Sequence, residues 1–539
     1  MRLIGSAMDL ARRVTPAVSR REWAWVLAVA LVFMAFTTVP YLLAAASQNS
    51  AWRFGGFLLA ADDGNTYLAN MGEGARGAWL FTLPYSTEPQ RGVFLYSFYL
   101  FLGHLAGPNH DTQVTVYHAA RVIFGVALLL AAYRFLAEFL ARIRQRRLGL
   151  LLVAFGGGLG WMVALLFPAG LFGSLPVDFI SPEAFSFLVL FGFPHLALAR
   201  CLLLLGVLAF WRGHGVLSGL ALLGVGLINP LSVIVVWMVV AVYLALSGSV
   251  QWRRAGRASL RGAWLRDLRS ALILGVLSAP IVIYSIYVFT ADPVMRQWNA
   301  QNLLYSSSPL HYLLAYGVWL AVAVPGWWVL WRRQPGLALL AGGWVAVAPL
   351  LLYLPIPTQR RLMEAVQLPL TVLAVLGLTV VLRRLRRWLM PAVAMAVAPT
   401  TLLLWTAALL AARVPAEPAF HPADEVAAFS WLAQNAQAGQ AALSAFDTGN
   451  VLPAYAPLVS YIGHGPETVF LAAKQPRVAA FFQSATPEAD RRALLADGRI
   501  AYVVVGPHEH ALGDFNPAAA PYLRLRFEAG VYSVYEVVR

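Results

Sequence analysis

Residues 23–46 read WAWVLAVALVFMAFTTVPYLLAAA, with no charged side chain among them. Arg12, Arg13, Arg20 and Arg21 precede this run, and it ends on small residues. Those flanks are also found on signal peptides, but a signal core is about 7–15 residues long. A helix needs about 20 apolar residues to cross the hydrocarbon layer. The run has that length and many more follow it, so it reads as a retained first span with a cytoplasmic N-terminus.

Further apolar runs lie at 114–140, 148–168, 185–211, 215–228, 230–247, 271–291, 311–331, 335–354, 364–382 and 388–412, eleven in all. The 539-residue chain is 60% apolar and 12% charged, with a mean hydropathy of +0.66. A soluble domain is about 45–50% apolar and about 25% charged. An ordinary soluble enzyme, a disordered chain and a disulfide-rich secreted domain are thereby excluded. The single cysteine, Cys201, sits in an apolar run, which rules out an intramolecular disulfide.

Arginine placement sets the topology. Arg142, Arg144, Arg146 and Arg147 fall in one short loop, Arg332 and Arg333 in another, and Arg383, Arg384, Arg386 and Arg387 in a third. Short basic loops stay in the cytoplasm. Arg212 precedes residues 215–247, and Arg253, Arg254, Arg257, Arg261, Arg266 and Arg269 follow them. Both ends of that stretch are therefore cytoplasmic, which requires two crossings split at Asn229-Pro230. Eleven spans from an inside N-terminus put residues 413–539 outside. The net charge of +15 is thus a topology signal, not a nucleic-acid footprint. Only one of the 40 basic residues is a lysine, Lys474; together with abundant Ala and Gly, this points to a GC-rich genome.

The reading is a polytopic α-helical membrane module over 1–412 and an extracytoplasmic α/β domain over 413–539. Residues 1–412 carry 31 basic and 13 acidic groups, and the tail carries 9 and 12. In the tail, helices are expected near 422–435, 466–483 and 487–496. Strands are expected near 441–445, 458–462, 500–505, 522–528 and 531–537, the last two forming a hairpin around Ala529-Gly530.

Nine of the 13 acids of the membrane module fall on its outer side. The first outer loop, 47–112, holds Ala61-Asp62-Asp63-Gly64-Asn65-Thr66-Tyr67, then Gly72-Glu73-Gly74, then Thr87-Glu88-Pro89. Its apolar stretch Val93–Leu105 is too short to span and suits the membrane interface. Asp-Asp-Gly-Asn alone also fits a turn or a helix cap. The second outer loop, from Leu175 to Glu183, contains Asp178 and Glu183, which suit an acceptor or a divalent cation, or simply cap the loop. Phe193-Pro194-His195 and Arg200 follow inside the fourth run. His195 is a ligand or a kink residue, and Arg200 must find a partner because a charge at membrane depth costs at least ~2.5 kcal/mol. Asp292-Pro293 to Asn302 offers Arg296, Gln301 and Asn302 to sugar hydroxyls, although Trp298 also fits an aromatic belt. Arg360 and Arg361 break the positive-inside trend, as phosphate ligands, interfacial anchors or partners of Glu364. Gly156-Gly157-Gly158 and Gly160 lack a dinucleotide-loop context and read as close helix packing. His464, Glu467, His508, Glu509 and His510 show no compelling metal-ligand spacing.

An acidic pair with a nearby tyrosine after the first span, a Glu-Pro, a short amphipathic segment and Arg121 early in the second span together resemble the GT-C superfamily of membrane glycosyltransferases. Protein O-mannosyltransferases and lipid A aminoarabinose transferases belong to it. The sequence departs from the family pattern in having Asp-Asp instead of Asp-Glu, an extra residue before Tyr67, and one Pro after Glu88 instead of Lys-Pro-Pro. The resemblance implies inverting transfer of a sugar from a polyprenyl-phosphate carrier to a hydroxyl at the outer face of a bacterial plasma membrane. It implies a carboxylate base, Asp62 first and Asp63 next, with Glu88 among the binding groups. The implied partners are the lipid-linked donor, the bilayer and a glycan, lipid or protein acceptor, with no nucleic acid. The resemblance fixes no cofactor and leaves a divalent cation open. A transporter or flippase of lipid-linked sugar is the alternative, disfavoured by the lack of internal repeats and of midplane acids. A degenerate scaffold is a third reading.

Overall fold

The computed structural model describes residues 17–167, 170–255, 262–380, 392–393 and 395–538. Among them, eight helices are long and apolar enough to cross a membrane: Arg20–Ala46, His110–Phe139, Ile143–Leu166, Pro194–Trp211, Pro230–Arg253, Ala263–Ala291, Pro309–Arg333 and Gln359–Thr379. Three apolar helices are shorter: Ser97–Ala106, Gly215–Ile228 and Pro335–Leu351. The expected split at Asn229-Pro230 is present. One helix ends at Ile228 and the next begins with Pro230 in its first turn, where a missing N–H costs nothing. The eleventh run is represented by helix Pro399–Arg413. Residues 381–391 lie outside the described residues, and so do Arg12, Arg13, Arg257, Arg261, Arg383, Arg384, Arg386 and Arg387. The chain is a multi-pass helical membrane protein with a C-terminal sheet domain.

The chain gathers into two compact units. The first comprises Met1–Thr38, Ala120–Ser285 and Leu304–Ala407; the second comprises Val39–Ala119, Ile286–Leu303 and Ala408–Arg539. The first outer loop and the loop after Asp292 therefore belong to the same unit as the tail.

In the first unit, several buried charged side chains are paired. Arg200 is 0% exposed; its Nε lies 2.6 Å from Glu364 Oε1, and its other nitrogens donate to Ser186 Oγ and to the carbonyls of Pro182 and Glu183. Arg121, also fully enclosed, donates to Thr37 Oγ1, Thr38 Oγ1 and the Leu190 carbonyl. Arg134 and Glu138 form an i,i+4 ion pair at 3.1 Å, and Arg212 joins them at 2.8 Å. The third run breaks between Phe155 and Gly160. There a Cβ on Gly156 would reach the Trp319 ring, one on Gly157 would reach Thr400, and one on Gly158 would strike the Ala315 backbone. Close packing is thus the role of this glycine run. Asp178 accepts from Gly158 N (2.9 Å), Gly160 N (3.2 Å) and Thr400 Oγ1 (2.8 Å), so it caps the break.

The second unit holds a five-stranded sheet of order β4-β3-β5-β7-β6, with β3 Ala441–Leu443, β4 Val459–Ser460, β5 Ile500–Val505, β6 Leu523–Ala529 and β7 Tyr532–Val537. Strands β3, β4 and β5 are parallel; β7 pairs antiparallel to β5 and forms the expected hairpin with β6. β5 is apolar throughout because both of its faces are covered. Val503 and Val505 pack with Phe481, Phe482, Leu494 and Leu495 on one face. Tyr502 and Val504 pack with Phe429, Leu432 and Leu452 on the other. A separate antiparallel pair joins β1 Trp52–Phe54 to β2 Phe420–Pro422.

The tail differs from the sequence expectation in several places, two of them in its helices. Helix Leu471–Phe481 starts later than residue 466, because Thr468 Oγ1 accepts the N–H groups of Gly463 and His464 and holds a loop there. Helix Phe446–Tyr455 was not anticipated, since Asp-Thr-Gly-Asn and an internal Pro453 read locally as a turn.

Within this unit, helix Ala61–Ala75 packs on helix Ser97–Ala106 through glycine. A Cβ on Gly74 would meet the Leu100 carbonyl, and one on Gly103 the Met71 carbonyl. Backbone cannot step aside as a side chain can. Gly103→Ala is therefore expected to cost at least about 1–3 kcal/mol, read as a lowered Tm in detergent. Gly275→Ala, which meets nothing within 4 Å, is expected to leave Tm unchanged or slightly raised.

Candidate active site

Asp62 and Asp63 occupy the first turn of helix Ala61–Ala75, where the helix dipole favours carboxylates. Ala60, at φ 49°, turns the chain into the helix. Asn65 Nδ2 donates to Asn450 Oδ1 (2.8 Å), and Tyr85 OH donates to the Asn450 carbonyl (2.9 Å). Tyr67 stacks on Tyr99 at 4.2 Å.

The two aspartates have different surroundings. Asp63 Oδ1 lies 3.4 Å from His464 Nε2, and the His464 ring stacks on Tyr85 at 5.5 Å. The Asp62 carboxylate accepts no hydrogen bond from the described side chains or backbone and lines a cavity of ≈ 240 Å³. Burial pushes the Asp62 carboxyl above its usual value; His464 opposes this, and Asp63 and Asp447 add to it. Burial alone would lower His464, but the contact with Asp63 and the charges of Glu467, Asp63 and Asp62 outweigh it, and the imidazole is raised. Glu467 is buried, and this pushes its carboxyl from 4.5 up to about 7.

The segment around Ser86 positions this histidine loop. Ser86 Oγ donates to the Glu467 carbonyl and accepts from Val469 N. Ser460 N donates to the Pro84 carbonyl. Gln301 donates to the Thr468 carbonyl (2.9 Å) and accepts from Phe470 N (2.9 Å), so its amide holds this same loop. Glu88 takes Lys474 Nζ at 2.7 and 2.8 Å from its two oxygens, and the ammonium also sits 4.7 Å over the Tyr461 ring. The chain lacks a lysine directly after Glu88 in sequence, yet its one lysine lies against Glu88 in space.

Of the residues singled out from sequence, Asp62, Asp63, Glu88, Arg296, Gln301 and Asn302 fall in the second unit; Asp178, Glu183, His195, Arg360 and Arg361 fall in the first. Arg296 is exposed and Asn302 buried. Trp298 is buried and stacks on Phe289 at 5.4 Å. Glu183 accepts from Ser181 Oγ. His195 lies edge-on to Phe193 at the start of its helix. Arg360 and Arg361 sit in the short 3-10 turn Gln359–Met363, half-buried, with no ion pair among the described residues. Glu364 is paired with Arg200, not with either of them. The cavity adds Glu417, His421, Glu425, Asp447 and Asn450, which no sequence motif marked. No cluster of three metal-ligating side chains occurs among the described residues.

No family model and no curated protein matches the chain. Solved structures do match its fold. The oligosaccharyltransferase of Archaeoglobus fulgidus, in its apo form, aligns at 14% identity and TM-score 0.51 over 91% of this chain and 70% of that one. The same enzyme, AglB, in complex with an inhibitory peptide and a dolichol-phosphate, aligns at 14% identity and TM-score 0.52 over 90% and 70%. ArnT from Cupriavidus metallidurans aligns at 16% identity and TM-score 0.51 over 94% and 98%. The likeness is one of fold, which this chain shares with these glycosyltransferases of the GT-C type.

Two outcomes test the site's electrostatics. Glu467, raised above 4.5, contributes stability that is complete below that value and is lost as pH rises through about 7. Raised His464 runs in the same direction. Glu467→Gln is expected to flatten the decline of Tm between pH 5 and pH 8, gaining on the order of 3 kcal/mol relative to wild type at pH 8. Lys474→Met leaves Glu88 half-buried without its cation, where loss of one partner costs up to about 3–5 kcal/mol. The double variant Glu88→Gln/Lys474→Met is expected to recover part of that loss in thermal unfolding.

Proposed function

We propose that the chain is a glycosyltransferase that moves a sugar from a polyprenyl-phosphate carrier to an acceptor hydroxyl at the outer face of the membrane, with inversion. The observation that carries this reading is the Asp62 carboxylate, free of hydrogen bonds from described residues and facing a polar cavity, on a GT-C fold. Direct inversion needs one base within hydrogen-bond reach of the acceptor proton. Asp62 is that base: its carboxyl is raised toward the working range and its oxygens are available. Asp63 is occupied by His464 and acts as an orienting neighbour. The dolichol-phosphate held by the archaeal oligosaccharyltransferase supports a polyprenyl carrier for this chain. Arg360 and Arg361, without carboxylate partners among the described residues, are the groups offered to the carrier phosphate, since a guanidinium fork binds two phosphate oxygens.

Protein in nanodiscs, given a panel of polyprenyl-phosphate sugars and a membrane extract as acceptor, is expected to release carrier phosphate. Asp62→Asn should lower that release about 10²–10⁴-fold, the usual worth of a general base, and Asp63→Asn less. Undiminished release by the folded double variant would remove both aspartates from the mechanism.

A further inference from the structure

The cavity beside Asp62 is built by four segments of the second unit. Helix Ala61–Ala75 gives Asp62 and Asn65, and helix Phe446–Tyr455 gives Asp447 and Asn450. The stretch from the last helix into the tail gives Glu417, His421 and Glu425. Helix Pro507–Leu512 gives His508. Among the described residues its apolar lining comes from Pro418 and Val451, and neither Lys nor Arg lines it.

Its polar groups are biased in one direction. Asp62, Glu417, Glu425 and Asp447 are acceptors only when ionised. The two imidazoles already face carboxylates. His508 Nε2 is 3.2 Å from Glu417 Oε2, and its Nδ1 is 3.8 Å from Asp447 Oδ2. His421 Nδ1 is 3.5 Å from Glu425 Oε2. Glu425 is 1% exposed, and its Oε2 faces the His421 imidazole without forming a well-aligned hydrogen bond. Four carboxylates against two imidazoles leave a surplus of hydrogen-bond acceptors along the cavity, so a ligand that brings donors is favoured. The surplus of carboxylates over imidazoles repels an anion at the same place. No set of three described His, Cys, Asp or Glu residues is arranged to hold a metal ion; the hydroxyl or amine groups of an organic ligand are suitable donors. At ≈ 240 Å³ the space is smaller than the roughly 300–1,000 Å³ of sites for drug-sized ligands, which limits the occupant to about one ring.

The geometry points to this cavity as the acceptor subsite, taking a terminal sugar ring that is uncharged or carries an amine and rejecting rings that carry a carboxylate or phosphate. The assignment rests on the proposed transferase reading, because Asp62 would take its proton from a hydroxyl of this ring. Hydroxyl and ammonium groups supply donors to the surplus of carboxylates. An aliphatic lipid tail finds almost no apolar wall here, and an anionic headgroup finds no cation left without a carboxylate.

The test measures acceptor binding apart from turnover. Full-length protein in nanodiscs is titrated with methyl glycosides of a neutral hexose, a hexosamine and a hexuronic acid, and with a hexose phosphate, by saturation-transfer NMR. The neutral and amine-bearing rings are expected to bind, the two anionic rings at least tenfold more weakly. Glu425→Gln should weaken hexosamine binding at least tenfold. Asp447→Arg, at a side chain 73% exposed and so tolerant of change, should weaken hexosamine binding and admit the hexuronic acid. Absence of binding by all four rings, equal binding of anionic and amine-bearing rings, or unchanged binding in both folded variants would overturn the assignment. Asp62-dependent carrier-phosphate release, measured on the same nanodiscs without added glycoside, tells that failure apart from failure of the transferase reading.

Discussion

A charge held away from water must be met by other polar groups, and this constraint organises the described structure. In the first unit it acts through Arg200, which gathers Glu364, Ser186 and the carbonyls of Pro182 and Glu183 around one guanidinium. Those partners come from separate stretches of chain, so the pair fixes how the helices around it pack. Removing either charge alone would strand the other in an apolar medium. The arginine is therefore more informative about packing than any single apolar contact nearby. Asp178 does comparable work on a smaller scale, binding the broken ends of the glycine-rich run to Thr400.

In the second unit the same constraint acts between distant parts of the sequence. The first outer loop and the tail are joined by polar contacts at Ser86, Asn65, Tyr85 and Glu88. These contacts put the acidic pair beside residues hundreds of positions later in the chain. They also give the two neighbouring aspartates unlike environments: Asp63 faces an imidazole and Asp62 a cavity. Adjacent residues on a helix point in different directions, so this division of roles follows from helix geometry once the helix is in place.

Much of the fold was legible because apolar run length and arginine placement respond to the bilayer, a strong and uniform solvent constraint. The Asn229-Pro230 split, the Arg134–Glu138 pair, the packing role of Gly156 to Gly160 and the hairpin at Ala529-Gly530 were all readable locally. Helix Phe446–Tyr455 was not, because its turn-like residues are helical only through burial against β3 and β5 neighbours. The acidic pair could be found from sequence, but its cavity could not. Glu417, His421, Glu425 and Asp447 belong to no motif and meet Asp62 only through tertiary packing. Gln301, singled out from sequence for sugar contact, also holds through its amide the loop that carries His464, which no local pattern indicated.

Lys474 is 5% exposed, salt-bridged to Glu88 and roofed by Tyr461. No other lysine side chain occurs in the 539 residues. Acylating reagents need a free, unprotonated amine, and this one is enclosed while the loop and the tail remain together. The second unit therefore contains a built-in chemical reporter: its only lysine becomes modifiable when that part of the molecule opens, without any engineered label.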